Sequence, residues 1–249
     1  MSEYGLIGYP LGHSFSQKYF NEKYEREAID VRYELFPLEN IDKELNELLE
    51  LHPMLKGFNV TIPYKQKVMA YLDEIDEEVM AVGAVNVVKI THKAGRRVLK
   101  GYNSDIYGFY ESIRPLLKEH HKKALVLGTG GASKAVVAML KKLGLDYKYV
   151  SRSAKEGQLT YEDINSDIMK EYTVIVNCSP VGMAPHVEEA PLLPYEAITD
   201  KHIAYDLVYN PLETRFLTLA KAHGATIKNG LEMLHLQAEK AWEIWQKEE

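Results

Sequence analysis

Two kinds of chemistry are written into short stretches of this chain. In Asn59-Val-Thr-Ile-Pro-Tyr-Lys65 a strand-like run closes at Thr61, Pro63 sets up a first helical turn, and Lys65 follows. That order predicts an amine held near a helix N-terminus, where the dipole and desolvation disfavour the ammonium form and suit the group to proton transfer. A lone lysine is more often a solvated surface group. Gly101-Tyr-Asn-Ser-Asp105 supplies a carboxylate, although Asn103, Ser104 and Asp105 also read as N-cap chemistry for a helix beginning near Ser104. Lys65 and Asp105 act as an acid–base pair only if the fold brings them together, which spacing does not decide. In Gly12-His-Ser-Phe-Ser16 the Ser14 and Ser16 hydroxyls lie two residues apart. In an extended loop they point to one side and can share a carboxylate; as turn or N-cap serines they have no ligand. Val82-Gly-Ala-Val-Asn86 places an amide before an apolar run, fit for a ligand or for a turn hydrogen bond.

The second chemistry is phosphate binding. Ala124-Leu-Val-Leu-Gly-Thr-Gly-Gly-Ala-Ser-Lys-Ala135 reads as a buried strand, a glycine turn and the opening of a helix. Gly128 permits the tight turn, while Gly130 and Gly131 let backbone N–H groups approach a pyrophosphate at the positive end of the helix dipole. Ser133 stands where G-x-G-x-x-G has its third glycine, so the match is partial. The helix carries Ala132, Ala135, Val136, Met139, Leu140 and Leu143 on one face and Gly144 at its end, and Tyr147–Val150 is the next strand. Roughly 20 residues past the glycine turn, where such a fold reads the ribose, stand Ser151, Arg152 and Ser153, with Lys155 behind them. An NAD-binding site usually has Asp or Glu there. A guanidinium and hydroxyls with no opposing carboxylate favour a 2′-phosphate and hence NADP, unless Arg152 is simply an exposed loop residue.

These residues need strands that end near one another. Strand and helix patterns alternate: Tyr4–Gly8 strand, Gln17–Ile29 helix, Val31–Phe36 strand, Ile41–Leu51 helix, Gly57–Ile62 strand, then a helix from Pro63 to about Leu72. Ala84–Ile90 and Arg97–Gly101 read as a hairpin across a polar turn at Thr91–Arg97. Thr173–Cys178 and His202–Leu207 read as parallel strands buried on both faces. Leu231–Glu249 reads as one helix whose apolar stripe is Leu231, Leu234, Ala238, Ala241, Trp242 and Trp245, a docking face. The class is α/β. The boundary between two halves falls near residues 102–106, giving one domain of 1–104 plus 231–249 and another of 105–230.

Composition narrows the partners. The 249 residues carry a formal net charge of −6, with basic residues scattered, so nothing marks a nucleic-acid or anionic-membrane surface and a small molecule is the expected ligand. Cys178 is the only cysteine, which excludes an internal disulfide and a multi-cysteine zinc site and fits a reducing compartment. No metal is expected. The N-terminal residues lack a basic and apolar leader and no apolar run approaches the roughly 20 residues of a bilayer span, so the expectation is a cytoplasmic protein.

Eight stretches together, in order along nearly the whole chain, resemble the shikimate dehydrogenase family. They are Gly8–Ser16, Asn59–Lys65, Gly83–Asn86, Gly101–Asp105, Gly128–Ala132, Asn177–Met183, Tyr205–Thr214 and Gly230–Gln237. The resemblance implies NADP-dependent, reversible reduction of 3-dehydroshikimate to shikimate in aromatic amino-acid biosynthesis. It also implies an N-terminal α/β substrate-binding domain and a Rossmann-like domain facing it across a cleft, with the C-terminal helix returning to the first, in a monomer or homodimer. Lys65 and Asp105 would be the catalytic pair. Ser14 and Ser16 would hold the substrate carboxylate, and Thr61, Asn86, Tyr209 and Gln237 its hydroxyls. Gly128, Thr129, Gly130, Gly131, Ala132, Ser151, Arg152, Ser153, Leu207 and Gly230 would line the cofactor, with Met183 nearby. Gln237 flanks the apolar stripe of its helix, which leaves its amide free to face a ligand. Two departures from the family pattern are Ser151-Arg-Ser153 for Asn-Arg-Thr, and Ser104 for threonine; neither removes a charge. A quinate/shikimate dehydrogenase using NAD, or a non-catalytic sensor of a pathway metabolite, are the competing readings. The sensor is disfavoured by the presence of both Lys65 and Asp105. A folate-linked dehydrogenase is disfavoured because it has no use for the paired serines or for Gln237.

Overall fold

The computed structural model describes residues 2–12, 14–153 and 155–248, so His13 of the serine motif lies outside the described residues. The chain forms two compact units, Met1–Ser104 with Gln237–Glu249, and Asp105–Leu236.

The first unit runs β1 (Ser2–Gly8), α1 (Phe15–Arg26), β2 (Val31–Pro37), α2 (Ile41–Leu51), β3 (Leu55–Val60), β4 (Glu74–Ile75), α3 (Glu77–Val82), β5 (Val87–Lys93) and β6 (Arg96–Tyr102). Its sheet has the order β2-β1-β3-β5-β6-β4. β1 pairs in parallel with β2 and β3, whereas β3 to β5 and β5 to β6 are antiparallel. Alternation along β1 feeds two cores: Ile7 joins Phe36, Leu45, Phe58 and Val88, while Tyr4 and Leu6 join Phe20, Tyr33, Ala241 and Trp245 on the opposite face.

Several local expectations change. α1 starts at Phe15 rather than Gln17 because Ser14 caps it, accepting from the Gln17 N–H at 3.5 Å. It stops at Arg26 in a Schellman arrangement: Ala28 is left-handed (φ 53), and the Ile29 N–H reaches the Tyr24 carbonyl at 2.9 Å. The helix expected from Pro63 does not form; only a 3₁₀ turn, Lys67–Tyr71, follows. The Lys65 carbonyl, which an α-helix would offer four residues on, is instead taken by the Val85 N–H at 2.7 Å. The hairpin turn shrinks from Thr91–Arg97 to Ala94-Gly95, both at positive φ, and the strands on either side lengthen.

The second unit runs α4 (Ser104–Ile113, whose first residue closes the first unit), β7 (Lys123–Leu127), α5 (Gly131–Lys142), β8 (Asp146–Val150), α6 (Ser166–Glu171), β9 (Val174–Asn177), β10 (Ile203–Asp206), α7 (Arg215–Ala222), β11 (Thr226–Lys228) and the start of α8 (Leu231–Gln246). All five strands are parallel, in the order β11-β10-β9-β7-β8. β9 and β10 are buried at every residue, as expected of parallel strands covered on both faces. The chain leaves β7 toward β8 on one side and returns to β9 on the other, a topological switch point beside the glycine turn. The division between units falls inside α8, at Gln237 rather than at residue 231. β4, α3, α6, α7 and β11 are short and were not anticipated from periodicity.

Candidate active site

In the first unit, β3 and the approach to β5 assemble a connected set of polar side chains. Asn86 is buried, and its backbone is fastened on both sides, N–H to the Tyr102 carbonyl at 3.0 Å and carbonyl to the Val60 N–H at 2.9 Å. Its amide donates to Ser104 Oγ at 3.1 Å and to Gln237 Oε1 at 3.4 Å, and accepts from the Ser104 N–H at 2.7 Å. Asn59 Nδ2 donates to the Asn86 carbonyl at 3.2 Å, and Asn59 Oδ1 accepts from the Tyr33 hydroxyl at 2.7 Å. Burial pushes the Tyr33 phenol far above its usual range, a rise that the nearby Ser16 hydroxyl partly offsets. The structure thus joins Tyr33, Asn59, Asn86 and Gln237 in one network.

Thr61 and Lys65 are placed by backbone bonds at the same strand ends. The Thr61 N–H reaches the Ile7 carbonyl at 3.0 Å, and Lys65 is held to Val85, next to Asn86, as described. Lys65 is half-buried in a turn. The helical positive pole expected beside its amine is not built. Ser14 and Ser16 also depart from the extended-loop geometry: Ser14 is a cap and Ser16 lies in the first turn of α1, because capping starts the helix between them. Asp105 is buried as the second residue of α4 and, with Tyr209, belongs to the second unit.

Asn59 and Tyr33 are members of this network beyond the site residues the sequence motifs single out. Asn59 could have been found, since it stands two residues before Thr61 and so shares its strand face. Nothing in the sequence marks Tyr33.

In the second unit the glycine turn is a cradle of backbone. Gly128 takes φ +100, a conformation that side-chain-bearing residues rarely adopt. A Cβ at Gly130 or Gly131 would meet nothing within 4 Å, so the space above both is open. No side chain caps α5, whereas α1, α2, α3, α6 and α7 are each closed by one. These uncapped N–H groups at a 12-residue helix fit a pyrophosphate. Ser133 tolerates the third glycine position because it is buried and its hydroxyl folds back to the Gly130 carbonyl at 2.7 Å. Thr129 is exposed and Ala132 half-buried at the same turn.

After β8, the Ser151 N–H bonds the Leu159 carbonyl at 2.9 Å and the Ser153 N–H reaches Ser151 Oγ at 3.4 Å. Arg152 and Lys155 are exposed beside them, and among the described residues no carboxylate pairs with Arg152. At the exit of β10, the Leu207 N–H bonds the Asn177 carbonyl at 2.9 Å, and Tyr209 is exposed. Gly230 packs backbone on backbone there; a Cβ would fall 2.1 Å from the Leu207 carbonyl oxygen. Met183 is exposed at the turn after β9. Two groups with raised pKa lie at these turns: desolvation pushes the half-buried Cys178 thiol well above its usual range and lifts the buried Asp206 carboxyl from 3.8 to about 6. Among the described residues, no group of His, Cys, Asp and Glu could hold a metal ion, and no helix is long and apolar enough to cross a membrane.

Side-chain donors and acceptors suited to a polyhydroxylated molecule, together with a dinucleotide cradle, define an α/β oxidoreductase. A family model for the shikimate dehydrogenase substrate binding domain matches residues 6–88. A shikimate dehydrogenase (NADP(+)) of Clostridium beijerinckii is 39% identical over 262 residues, covering 99% of this chain and 93% of the relative. That of Methanosphaera stadtmanae is 35% identical over 260 residues, covering 97% and 90%. The crystal structure of shikimate 5-dehydrogenase from Thermus thermophilus in complex with NADP(H) and shikimate superposes with a TM-score of 0.84 at 31% identity, covering 99% of this chain and 94% of that one. Quinate dehydrogenase from Corynebacterium glutamicum in complex with NAD gives 0.86 at 25% identity, covering 98% and 93%. The chain belongs to the shikimate dehydrogenase family.

Proposed function

We propose that this chain is an NADP-dependent shikimate dehydrogenase, catalysing reversible reduction of 3-dehydroshikimate to shikimate in aromatic amino-acid biosynthesis. The observation that carries the reading is the near-full-length match to relatives of that name, supported by a dinucleotide cradle whose ribose end offers Arg152 and no carboxylate. NADPH, when bound, supplies the hydride. The first unit is the substrate-binding domain and the second the NADP-binding domain.

Within that reading Lys65 gives the proton to the carbonyl oxygen during reduction and recovers it in the reverse direction, and Asp105 orients the amine and a substrate hydroxyl. Ser14 and Ser16 hold the substrate carboxylate; Thr61, Asn86, Tyr209 and Gln237 hold its hydroxyls. The hydrogen bond from Asn86 to Gln237 supports this, because it fixes the Gln237 side-chain oxygen and so aims the N–H donors of the same amide at a ligand. Gly128, Thr129, Gly130, Gly131 and Ala132 hold the pyrophosphate, Ser151, Arg152 and Ser153 the 2′-phosphate, and Leu207 and Gly230 the nicotinamide side. The chain acts in the cytoplasm as a monomer or homodimer, which sedimentation of the purified protein distinguishes.

The quinate dehydrogenase likeness favours one competing reading, an NAD-linked enzyme acting on quinate. Absorbance at the NADPH band, with shikimate or quinate and with NADP or NAD, separates the two. Efficient NADP reduction by shikimate with quinate much poorer is expected. Equal use of NAD and NADP overturns the cofactor assignment, and tight metabolite binding without turnover returns the sensor.

A further inference from the structure

At the end of β10 a carboxylate lies wholly out of solvent: Asp206 is 0% exposed. Its Oδ1 accepts from Asn177 Nδ2 at 3.0 Å and from the Val208 N–H at 3.0 Å, and its Oδ2 accepts from Thr214 Oγ1 at 2.6 Å. Each donor leads to a different segment. Asn177 ends β9, and its Oδ1 accepts from both the N–H and the hydroxyl of Ser179, at 3.0 and 2.6 Å. Val208 sits between Leu207 and Tyr209, and its carbonyl accepts from the Gly230 N–H at 3.2 Å. Thr214 caps α7, its hydroxyl accepting from the Leu217 N–H at 3.4 Å.

We propose that Asp206 is a positioning residue: its carboxylate locks the turns after β9 and β10 and the start of α8 into one arrangement that presents Leu207 and Gly230 to the nicotinamide half of the cofactor. Three donors face the group, and a carboxylate answers all of them with acceptors alone. Asn177 has no freedom to turn its amide, because Ser179 holds its oxygen. Gly230 is packed so closely on Leu207 that a small shift of the β10 exit is transmitted to the head of α8. Burial of a charge that the core does not need for packing is costly, and burial does push this carboxyl upward, to about 6. What it secures is the geometry of the turns after β9 and β10 and of the residue that leads into α8.

The proposal rests on the assignment of Leu207 and Gly230 to the nicotinamide side, and binding tests it without turnover. Calorimetric affinities for NADPH and for adenosine 2′,5′-bisphosphate, which lacks the nicotinamide half, are compared in the full chain. Asp206→Asn keeps shape but sets an N–H against Thr214 or the other two donors. It should weaken NADPH about tenfold while leaving the bisphosphate within about twofold, with a lower kcat for shikimate, since misplacement of about an ångström costs up to about a hundredfold. Thr214→Val, which removes one donor, should show the same split in smaller measure, and Thr214→Ser should restore wild-type behaviour. If Asp206→Asn fails to fold, the Thr214 pair decides. Unchanged NADPH affinity, or parallel loss of both ligands, overturns the proposal. A wild-type chain that binds NADPH but does not oxidise shikimate refutes the enzymatic reading and leaves the binding comparison intact.

Discussion

The two units prepare for small molecules with different materials. In the first, neutral side chains form the network beside Lys65: Tyr33, Asn59, Asn86 and Gln237 are joined by hydrogen bonds. In the second, the glycine turn offers backbone N–H groups and empty space, with Arg152 exposed after β8. A site made of side chains fails when a functional group is removed. A site made of backbone fails when an atom is added. The first arrangement suits a substrate to be told apart by the pattern of its hydroxyls, the second a phosphate chain common to many nucleotides.

The largest expected effect is in the first unit. Lys65→Ala should lower kcat roughly 10²- to 10⁴-fold with much less change in KM, the usual contribution of a general acid–base group. Asp105→Asn should act similarly while keeping a polar side chain at the start of α4. A Lys65→Ala enzyme altered only in its KM for shikimate would remove proton transfer from this residue.

Arg152→Ala comes next and tests the one charged contact proposed in the cofactor cradle. Loss of charge-assisted hydrogen bonds to a dianion should raise KM for NADP roughly 10- to 100-fold and leave the weak NAD reaction nearly unchanged. Retained NADP preference would mean that the ribose is read elsewhere.

Gly130→Ala sharpens the contrast between removal and addition. The new Cβ meets nothing within 4 Å, so the thermal midpoint should fall by an amount equivalent to less than about 1 kcal/mol, the cost of exchanging glycine for alanine at an N-cap. The KM for NADP should nevertheless rise about tenfold, because the added carbon stands where the pyrophosphate approaches. Equal NADP affinity would show that the open space is not the phosphate site.

The last effect is on stability rather than activity and depends on pH. The folded chain keeps a proton on Asp206 up to about pH 6, whereas the unfolded chain releases it near 3.8. This group's contribution is therefore fully present below about pH 4 and is lost as pH rises through 6, by at most about 3 kcal/mol. The neighbouring Cys178 thiol and Tyr195 phenol stay neutral across that window, burial holding both well above their usual ranges. Urea unfolding of wild type and Asp206→Asn at several pH values should show their difference moving against wild type from pH 4 to 7. A flat difference would mean that the three donors keep the carboxylate ionised throughout.

Regular pattern made much of the fold legible in advance. Ile41–Leu51 is helical at its expected limits, and Thr173–Cys178 and His202–Leu207 contain the buried parallel strands β9 and β10. In each case hydrophobic periodicity over several residues outweighs any single contact. The elements not foreseen are those of two to eight residues, such as β4, α6 and α7, too short for a period to declare itself. The candidate site divides in the same way. Glycines, the ribose-end arginine, and the lysine and aspartate could be picked out by residue type and by the resemblance. The Ser14–Ser16 geometry and the helix after Pro63 could not, because each turned on where one hydrogen bond went: from the Gln17 N–H to Ser14 Oγ, and from the Val85 N–H to the Lys65 carbonyl. Tyr33 against Asn59, Gln237 against Asn86, and Asp206 against Asn177, Val208 and Thr214 were decided only by tertiary structure. Residue type and spacing specify which groups a chain owns, but a hydrogen bond between residues 151 positions apart exists only once packing has brought its two ends together.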